Sequence, residues 1–436
     1  MSTQASVFTI ALADPSNVGT VVGNDSSLQG RPTPNHRRLA LGMLFVFSVL
    51  TPAQAYARNP FEFQTPVTPM AHETLYVHNL FLTIIAALFS AGMGFLLYMI
   101  VRHRRSRGHR PATFTGPRTL MQWILVVAPV LLLVFIDYIV MGIPAYHAVL
   151  ALANTKDDAA LVVKATGSQW RWRYEYPDYG IAFASNLATP PEQRESGSPT
   201  DPNYLLEVDQ PLVLPVGEKV RILLTSTDVI HAWWVPSFGV KQDAVPGFLR
   251  ETWVNIEKPG VYRGQCAELC GVGHAFMPIV VEAKTKPEFD KWLVQAKSAA
   301  AARASAEGQI LSREDLLARG KQNYANYCAM CHQENGLGIP GNFPPLAAGH
   351  AFSATPEMTA ALAQRGFYNS GKIVLGTVDQ HIDIVLKGIP GTPMAAFGPQ
   401  LSDLDIAAII TFERNSFGNQ TGDIIQAATV KAKRSK

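Results

Sequence analysis

Two apolar runs, Leu80 to Val101 and Leu120 to Ile143, constrain the fold of this chain more than any other feature. The first carries no charge, and each is long enough to cross a bilayer, which takes ~20 residues. The second is interrupted only by Asp137 and by Pro129, a residue that neighbouring helices accommodate inside membranes. Between the runs lie Arg102, Arg104, Arg105, Arg107, Arg110 and Arg118, with no acidic residue. That bias predicts a hairpin with its connecting loop in the cytoplasm and both flanking segments outside. A soluble-core reading is opposed by the length of the runs and by the arginine-rich loop. Asp137 has two readings: a functional intramembrane carboxylate, or a side chain near the outer end that reaches interfacial water.

Upstream, His36-Arg37-Arg38, the short apolar run Leu39 to Leu50 and Ala53-Gln54-Ala55 follow the order of a secretory signal, which predicts cleavage after Ala55. A retained anchor helix is the alternative, because the polar stretch before His36 is long for a signal. The formal charge of +3 over 436 residues gives no basis for a nucleic-acid partner. Four cysteines are present, two at Cys266 and Cys270 and two at Cys328 and Cys331, so none remains for a structural disulfide elsewhere.

The first pair stands in Cys266-Ala-Glu268-Leu-Cys270-Gly-Val-Gly-His274, with Met277 three residues later and His231 upstream. Thiolate, thioether and imidazole together favour copper, whereas structural zinc rarely takes methionine. A mononuclear blue-copper centre needs one cysteine. The second thiolate therefore points to a second metal, with two bridging sulfurs and one histidine per copper. A disulfide between the two cysteines is the plainer alternative, and the histidine and methionine at fixed offsets argue against it.

The second pair stands in Cys328-Ala-Met-Cys331-His332, the attachment signature of a c-type haem, with His332 placed to ligate iron. The export context disfavours a redox dithiol. A sixth ligand is expected downstream: Met394 lies in the loop Ile389-Pro-Gly-Thr-Pro393-Met394, and Met358 on a predicted helix reads as packing. Around the first motif, residues 161–282 read as short β-branched and aromatic runs separated by turns, which predicts a Greek-key sandwich or barrel. Gln169 to Tyr176 alternates as a strand with one aromatic face. Residues 188–203 read as an exposed insertion, and the alanine-rich 296–306 as a linker with helical character.

The copper motif, preceded by Asp228-Val229-Ile230-His231, closely resembles that of cytochrome c oxidase subunit II. The resemblance implies a cupredoxin fold carrying binuclear copper A, with His231 and His274 as imidazole ligands, Cys266 and Cys270 bridging and Met277 axial. It further implies that Glu268 binds through its main-chain carbonyl and reaches a magnesium ion shared with subunit I through its side chain. Trp170 matches a surface tryptophan that receives electrons in this family. Two positions depart from its pattern: Gln122 replaces a glutamate near a proton-uptake path, and Phe248 replaces an arginine. The C-terminal part resembles class I cytochromes c, which implies Met394 as the axial partner of His332.

The expected fold class is a multidomain membrane protein with a two-helix transmembrane hairpin, an all-β cupredoxin-like Greek-key domain and an all-α cytochrome c domain. Expected boundaries are 1–55 for an N-terminal extension and signal peptide, 70–150 for the hairpin, 151–292 for the copper A domain, 293–311 for a linker, 312–422 for the cytochrome c domain and 423–436 for a basic tail. The resemblance implies a multi-pass subunit of the bacterial inner membrane with both cofactor domains on the periplasmic side. It would pass electrons from a soluble or membrane donor through haem c and copper A to subunit I of an oxygen-reducing, proton-translocating complex, in contact with lipid and other oxidase subunits. No histidine falls inside either apolar run, so oxygen chemistry belongs to the partner. The alternative is a membrane-anchored copper and haem carrier, or a copper-delivery protein, outside any oxidase. A nitrous oxide reductase would need many more histidines than eleven.

Overall fold

The computed structural model describes residues 63–110, 116–194 and 202–435, so the expected signal peptide and its cleavage after Ala55 lie outside the described residues. Helix α1, Pro69–Arg102, begins at Thr68, whose hydroxyl accepts the Ala71 N–H, with Pro69 at the first helical position. Helix α2, Leu120–Ala153, is continuous past Pro129. It widens to a π-helical stretch over Ile136–Met141, where the Gly142 N–H bonds the Asp137 carbonyl. Both helices leave their apolar side chains exposed along most of their length, as lipid-facing helices do.

Gln122 has a local task at the start of α2. Its Oε1 accepts the backbone N–H groups of Arg118 and Thr119 at 2.7 and 3.3 Å, while Thr119 Oγ1 accepts the Gln122 N–H. That is a reciprocal capping box, for which glutamine serves as well as glutamate.

Ten strands follow: β1 Leu161–Ser168, β2 Arg171–Tyr176, β3 Ile181–Ser185, β4 Leu212–Pro215, β5 Lys219–Ser226, β6 His231–Val235, β7 Val240–Ala244, β8 Arg250–Asn255, β9 Gly260–Cys266 and β10 Pro278–Lys284. They form two five-stranded sheets, ordered β3-β2-β1-β5-β8 and β4-β10-β9-β6-β7. The parallel pairs β1 with β5 and β4 with β10 are the crossovers that distinguish this sandwich from a simple meander. Strict alternation along β5 turns Val220, Ile222 and Leu224 inward, and Trp172, Tyr174 and Tyr176 of β2 meet them in the same core. Each such side chain contributes roughly 1.5–3 kcal/mol by leaving water.

The sandwich is seated on the hairpin. Val67 N–H bonds Ser237 O, Thr68 Oγ1 donates to Phe238 O, and Trp253 Nε1 donates to Ala151 O at the end of α2. A Cβ at Gly239 would lie 2.7 Å from Ala71 Cα, so the contact with α1 requires glycine there.

The expected linker is helical for most of its length. Helix α3, Lys286–Ala306, starts at a Thr285–Glu288 capping box and buries Phe289, so it crosses the expected boundary at 292 as one element. Alanine's high helix propensity accounts for its continuation past Trp292. Of the expected insertion, Pro191–Arg194 forms one helical turn, and 195–201 lie outside the described residues.

The C-terminal part is helical: α4 Arg313–Tyr327, a single turn Ala329–His332, α5 Pro356–Gln364, α6 Val378–Lys387, α7 Asp403–Arg414 and α8 Ala427–Arg434. Helices α4 and α7 cross at Gly320, where a Cβ would stand 2.1 Å from the Ala408 carbonyl oxygen. The segment expected as a basic tail folds back instead. Val430 is fully buried, Arg434 Nε bonds Asp403 at 2.7 Å, and Lys433 lies between Asp379 and Asp383. Ala427 and Val430, one turn apart in a helix that ends Lys431-Ala-Lys433-Arg434, give it a face to bury.

Candidate metal centre

Strand β6 begins at His231 and β9 ends at Cys266, and the two strands are paired, so register alone brings imidazole and thiol to one end of the sheet. The loop after Cys266 returns to that end through the turn His274–Phe276 before β10. The donors converge there. His231 Nδ1 lies 4.0 Å from Cys266 Sγ, the two sulfurs are 3.9 Å apart, and Cys270 Sγ lies 3.4 Å from His274 Nδ1 and 3.5 Å from Met277 Sδ. The Glu268 carbonyl oxygen is 3.3 Å from Cys266 Sγ. His231, Cys266, Cys270 and Met277 are buried. Two cysteine sulfurs, a thioether and two imidazoles gathered at one end of the sheet fit copper.

Residues outside the ligand set orient it. Asp228 Oδ1 accepts a hydrogen bond from His231 Nε2 at 2.9 Å, which leaves Nδ1 facing the sulfurs. Asp228 also accepts the backbone N–H groups of Gln169 and Val229, both at 2.7 Å. Burial opposes its ionisation, yet these hydrogen bonds hold its carboxyl below the usual range. Burial likewise opposes charging of His231, but Asp228 and Cys266 outweigh it and raise the imidazole. The two thiols titrate as a pair: their mutual hydrogen bond favours thiolate at Cys266 and holds the proton on Cys270. Asp228 stands in the motif three residues before a ligand histidine, and that spacing is the sequence signal for its orienting role.

Trp170 Nε1 and Gln169 Nε2 both donate to the carbonyl of Cys270, at 3.0 and 2.8 Å. The indole lies over Gly271 and Gly273, where a Cβ would approach it to 3.1 and 2.4 Å. It is only 8% exposed, which corrects the expectation of a surface tryptophan. The helical domain covers it, and Trp170 lines the same cavity as Cys331, His332 and Met394.

That cavity is lined mostly by apolar side chains and brings together metal-binding side chains from separate segments. His332 Nδ1 lies 2.9 Å from Pro344 O, so Nε2 is left for a ligand. Burial holds this imidazole neutral by lowering its pKa. Met394 reaches the cavity from a loop closed by the Ile389 N–H bond to Met394 O at 2.9 Å, and Met358 also lines it, from α5. The thiols of Cys328 and Cys331 sit at its edge, and these residues fit a covalently attached haem.

Three family models match. Residues 161–284 match cytochrome c oxidase subunit II, periplasmic domain; 55–143 match its transmembrane domain; and 315–412 match cytochrome c oxidase, cbb3-type, subunit III. A probable cytochrome c oxidase subunit 2 of Rickettsia bellii is 37% identical over 240 residues, which cover 55% of this chain and 85% of that protein. The chain belongs to the cytochrome c oxidase subunit II family. Cytochrome c oxidase subunit 2 of Cereibacter sphaeroides is 38% identical, over 54% of this chain and 80% of that one. A crystal structure of the periplasmic domain of subunit II from Bradyrhizobium japonicum is 45% identical, covers 32% of this chain and 96% of that chain, and gives a TM-score of 0.29.

This subunit II therefore carries a cytochrome c domain after its copper domain, and it is a subunit through which electrons enter a haem-copper oxidase. The family implies copper A and haem c, and the transmembrane and periplasmic matches imply a membrane anchor with periplasmic domains.

Proposed function

We propose that electrons cross this chain in one order: from a soluble or membrane donor to haem c, then to copper A past Trp170, then to subunit I. When bound, each centre takes up and releases single electrons. Cys266, Cys270, His231, His274, Met277 and the Glu268 carbonyl would hold the copper pair, with the two thiolates shared between the metals. Cys328 and Cys331 would anchor the haem, and His332 and Met394 would ligate its iron. The Glu268 carboxylate, 3.9 Å from Lys241 Nζ and partly exposed, is free to turn towards a magnesium ion at the boundary with subunit I. The hairpin spans 70–150, the copper domain runs from 151 into the first turns of α3, and the cytochrome domain runs from 312 through α8, which folds back onto it; the membrane is the bacterial inner membrane.

One observation carries this order. A single indole bonds the carbonyl of a copper-site cysteine and lines the cavity beside the haem-attachment cysteine. Tethering keeps the two centres together, so docking does not depend on a charged collision surface.

The test is composition. The full chain, purified in detergent after copper-replete oxidising growth, should hold two coppers and one covalent haem, with a mixed-valence signal by electron paramagnetic resonance. One readily exchanged copper and no such signal would favour the copper-delivery reading and overturn this one.

A further inference from the structure

Strand alternation puts Arg171, Arg173 and Glu175 on the face of β2 opposite the aromatic core, where water is the expected neighbour. Arg173 and Glu175 meet it, but Arg171 is only 3% exposed. The helical domain covers it. Its guanidinium carbon lies 4.2 Å from the ring centroid of Tyr327, the residue before the first haem-attachment cysteine, and 5.4 Å from that of Phe397, three residues after Met394. Nη2 donates to the Gln169 carbonyl at 3.3 Å, while Nε and Nη1 find no hydrogen-bond partner among the described residues.

Burial lowers the guanidinium's pKa, and the surrounding Tyr327, Cys328, Asp228 and Cys331 act against that shift. Arginine remains charged in proteins. A buried, incompletely paired cation is costly, and contact with the aromatic rings of Tyr327 and Phe397 is a way to hold it. Arg171 also lines the cavity beside Cys328 and Cys331, one residue from Trp170. Met330 and Cys331 pack against the copper-domain core, and Ser168 Oγ donates to Gln400 Oε1 at 3.3 Å. The attachment loop is thus held against the Trp170 end of the sheet by contacts centred on Arg171.

We propose that Arg171 is a positioning residue for electron transfer from haem to copper: its guanidinium, clamped between Tyr327 and Phe397, seats the haem-attachment loop against Trp170 and favours the reduced haem. This rests on the haem and copper assignments above. The step moves one electron and no proton. One electron would leave the haem iron, whose charge rises by one, and enter the copper pair, whose charge falls by one; no bond forms or breaks. A fixed positive charge beside the haem stabilises the form with one less positive charge, so it raises the haem's reduction potential.

The test uses the full chain in detergent, with haem content and the copper spectrum checked first; a chain lacking either centre refutes the assignments rather than this role. Arg171→Gln should shift the haem's redox equilibrium about tenfold towards oxidised, ~59 mV for one electron, and slow flash-initiated haem-to-copper transfer at least tenfold. Arg171→Lys should keep most of the potential and lose much of the rate, because an ammonium carries the charge without the planar stack. Tyr327→Leu removes the clamp from the haem side and should slow transfer with little change in potential. It also decides the question if the arginine variants do not accumulate. Potentials and rates unchanged in the variants that load both centres would overturn the proposal.

Discussion

His231 Nε2 stands 2.9 Å from Asp228 Oδ1, and this contact leaves the other ring nitrogen to face the sulfurs. The carboxylate is itself fixed by two backbone N–H groups, so the ring is oriented before any metal arrives. Asp228→Asn keeps the shape and removes the charge. Copper affinity, measured by chelator competition, should fall about 10–100-fold. An unchanged affinity would show that the ring is held by packing alone.

Trp170→Gln should slow reduction of copper by the haem while leaving the copper spectrum intact, because the indole lies outside the ligand set. Gly273→Ala approaches the same ring from below. Its Cβ would sit 2.4 Å from Trp170 Cδ2, so the indole must move, at a cost of about 1–3 kcal/mol. Stopped-flow rates for both variants should drop together, and a normal rate in Gly273→Ala would mean that the indole's position is unimportant.

Acid should loosen the cytochrome domain through Asp423. Burial opposes its ionisation, but Arg414 Nε at 2.7 Å wins and holds the carboxyl below its ordinary value. A depressed carboxyl stabilises the fold above its unfolded pKa, about 3.9, and that stability is lost as pH falls through the lower folded value. Asp423→Asn should therefore cost about 1 kcal/mol at pH 7, since the pair is partly exposed. In urea denaturation followed at the haem absorbance, the gap from wild type should narrow as pH falls below about 3.9 and close below the folded carboxyl's lower value. A gap that persists there would rule out the pair as its source.

Met394→His should leave haem attachment intact and lower its reduction potential, since methionine ligation raises it. Spectroelectrochemistry decides between this residue and Met358, which also lines the cavity. If Met358→His alone moves the potential, the axial assignment passes to Met358.

Metal-binding and membrane features were legible because they are local. The spacing from Cys266 to Met277 fits within one loop, Cys328 to His332 is one helical turn, and the apolar runs announce themselves by length. The helical character of 286–306 was half visible in its alanines. The packing of 427–434 was hidden by its charge, because Lys433 and Arg434 find their acids on helices α6 and α7.

Sequence by itself determined which atoms can bind metal and which segments leave water, since both follow from side-chain chemistry over a few residues. Tertiary structure alone decided that Trp170 faces a haem cavity instead of solvent and that Arg171 is buried between two aromatic rings. A strand's pattern specifies two faces but not what covers the outer one, and here that cover comes from residues more than one hundred and fifty positions later, at Tyr327 and Phe397.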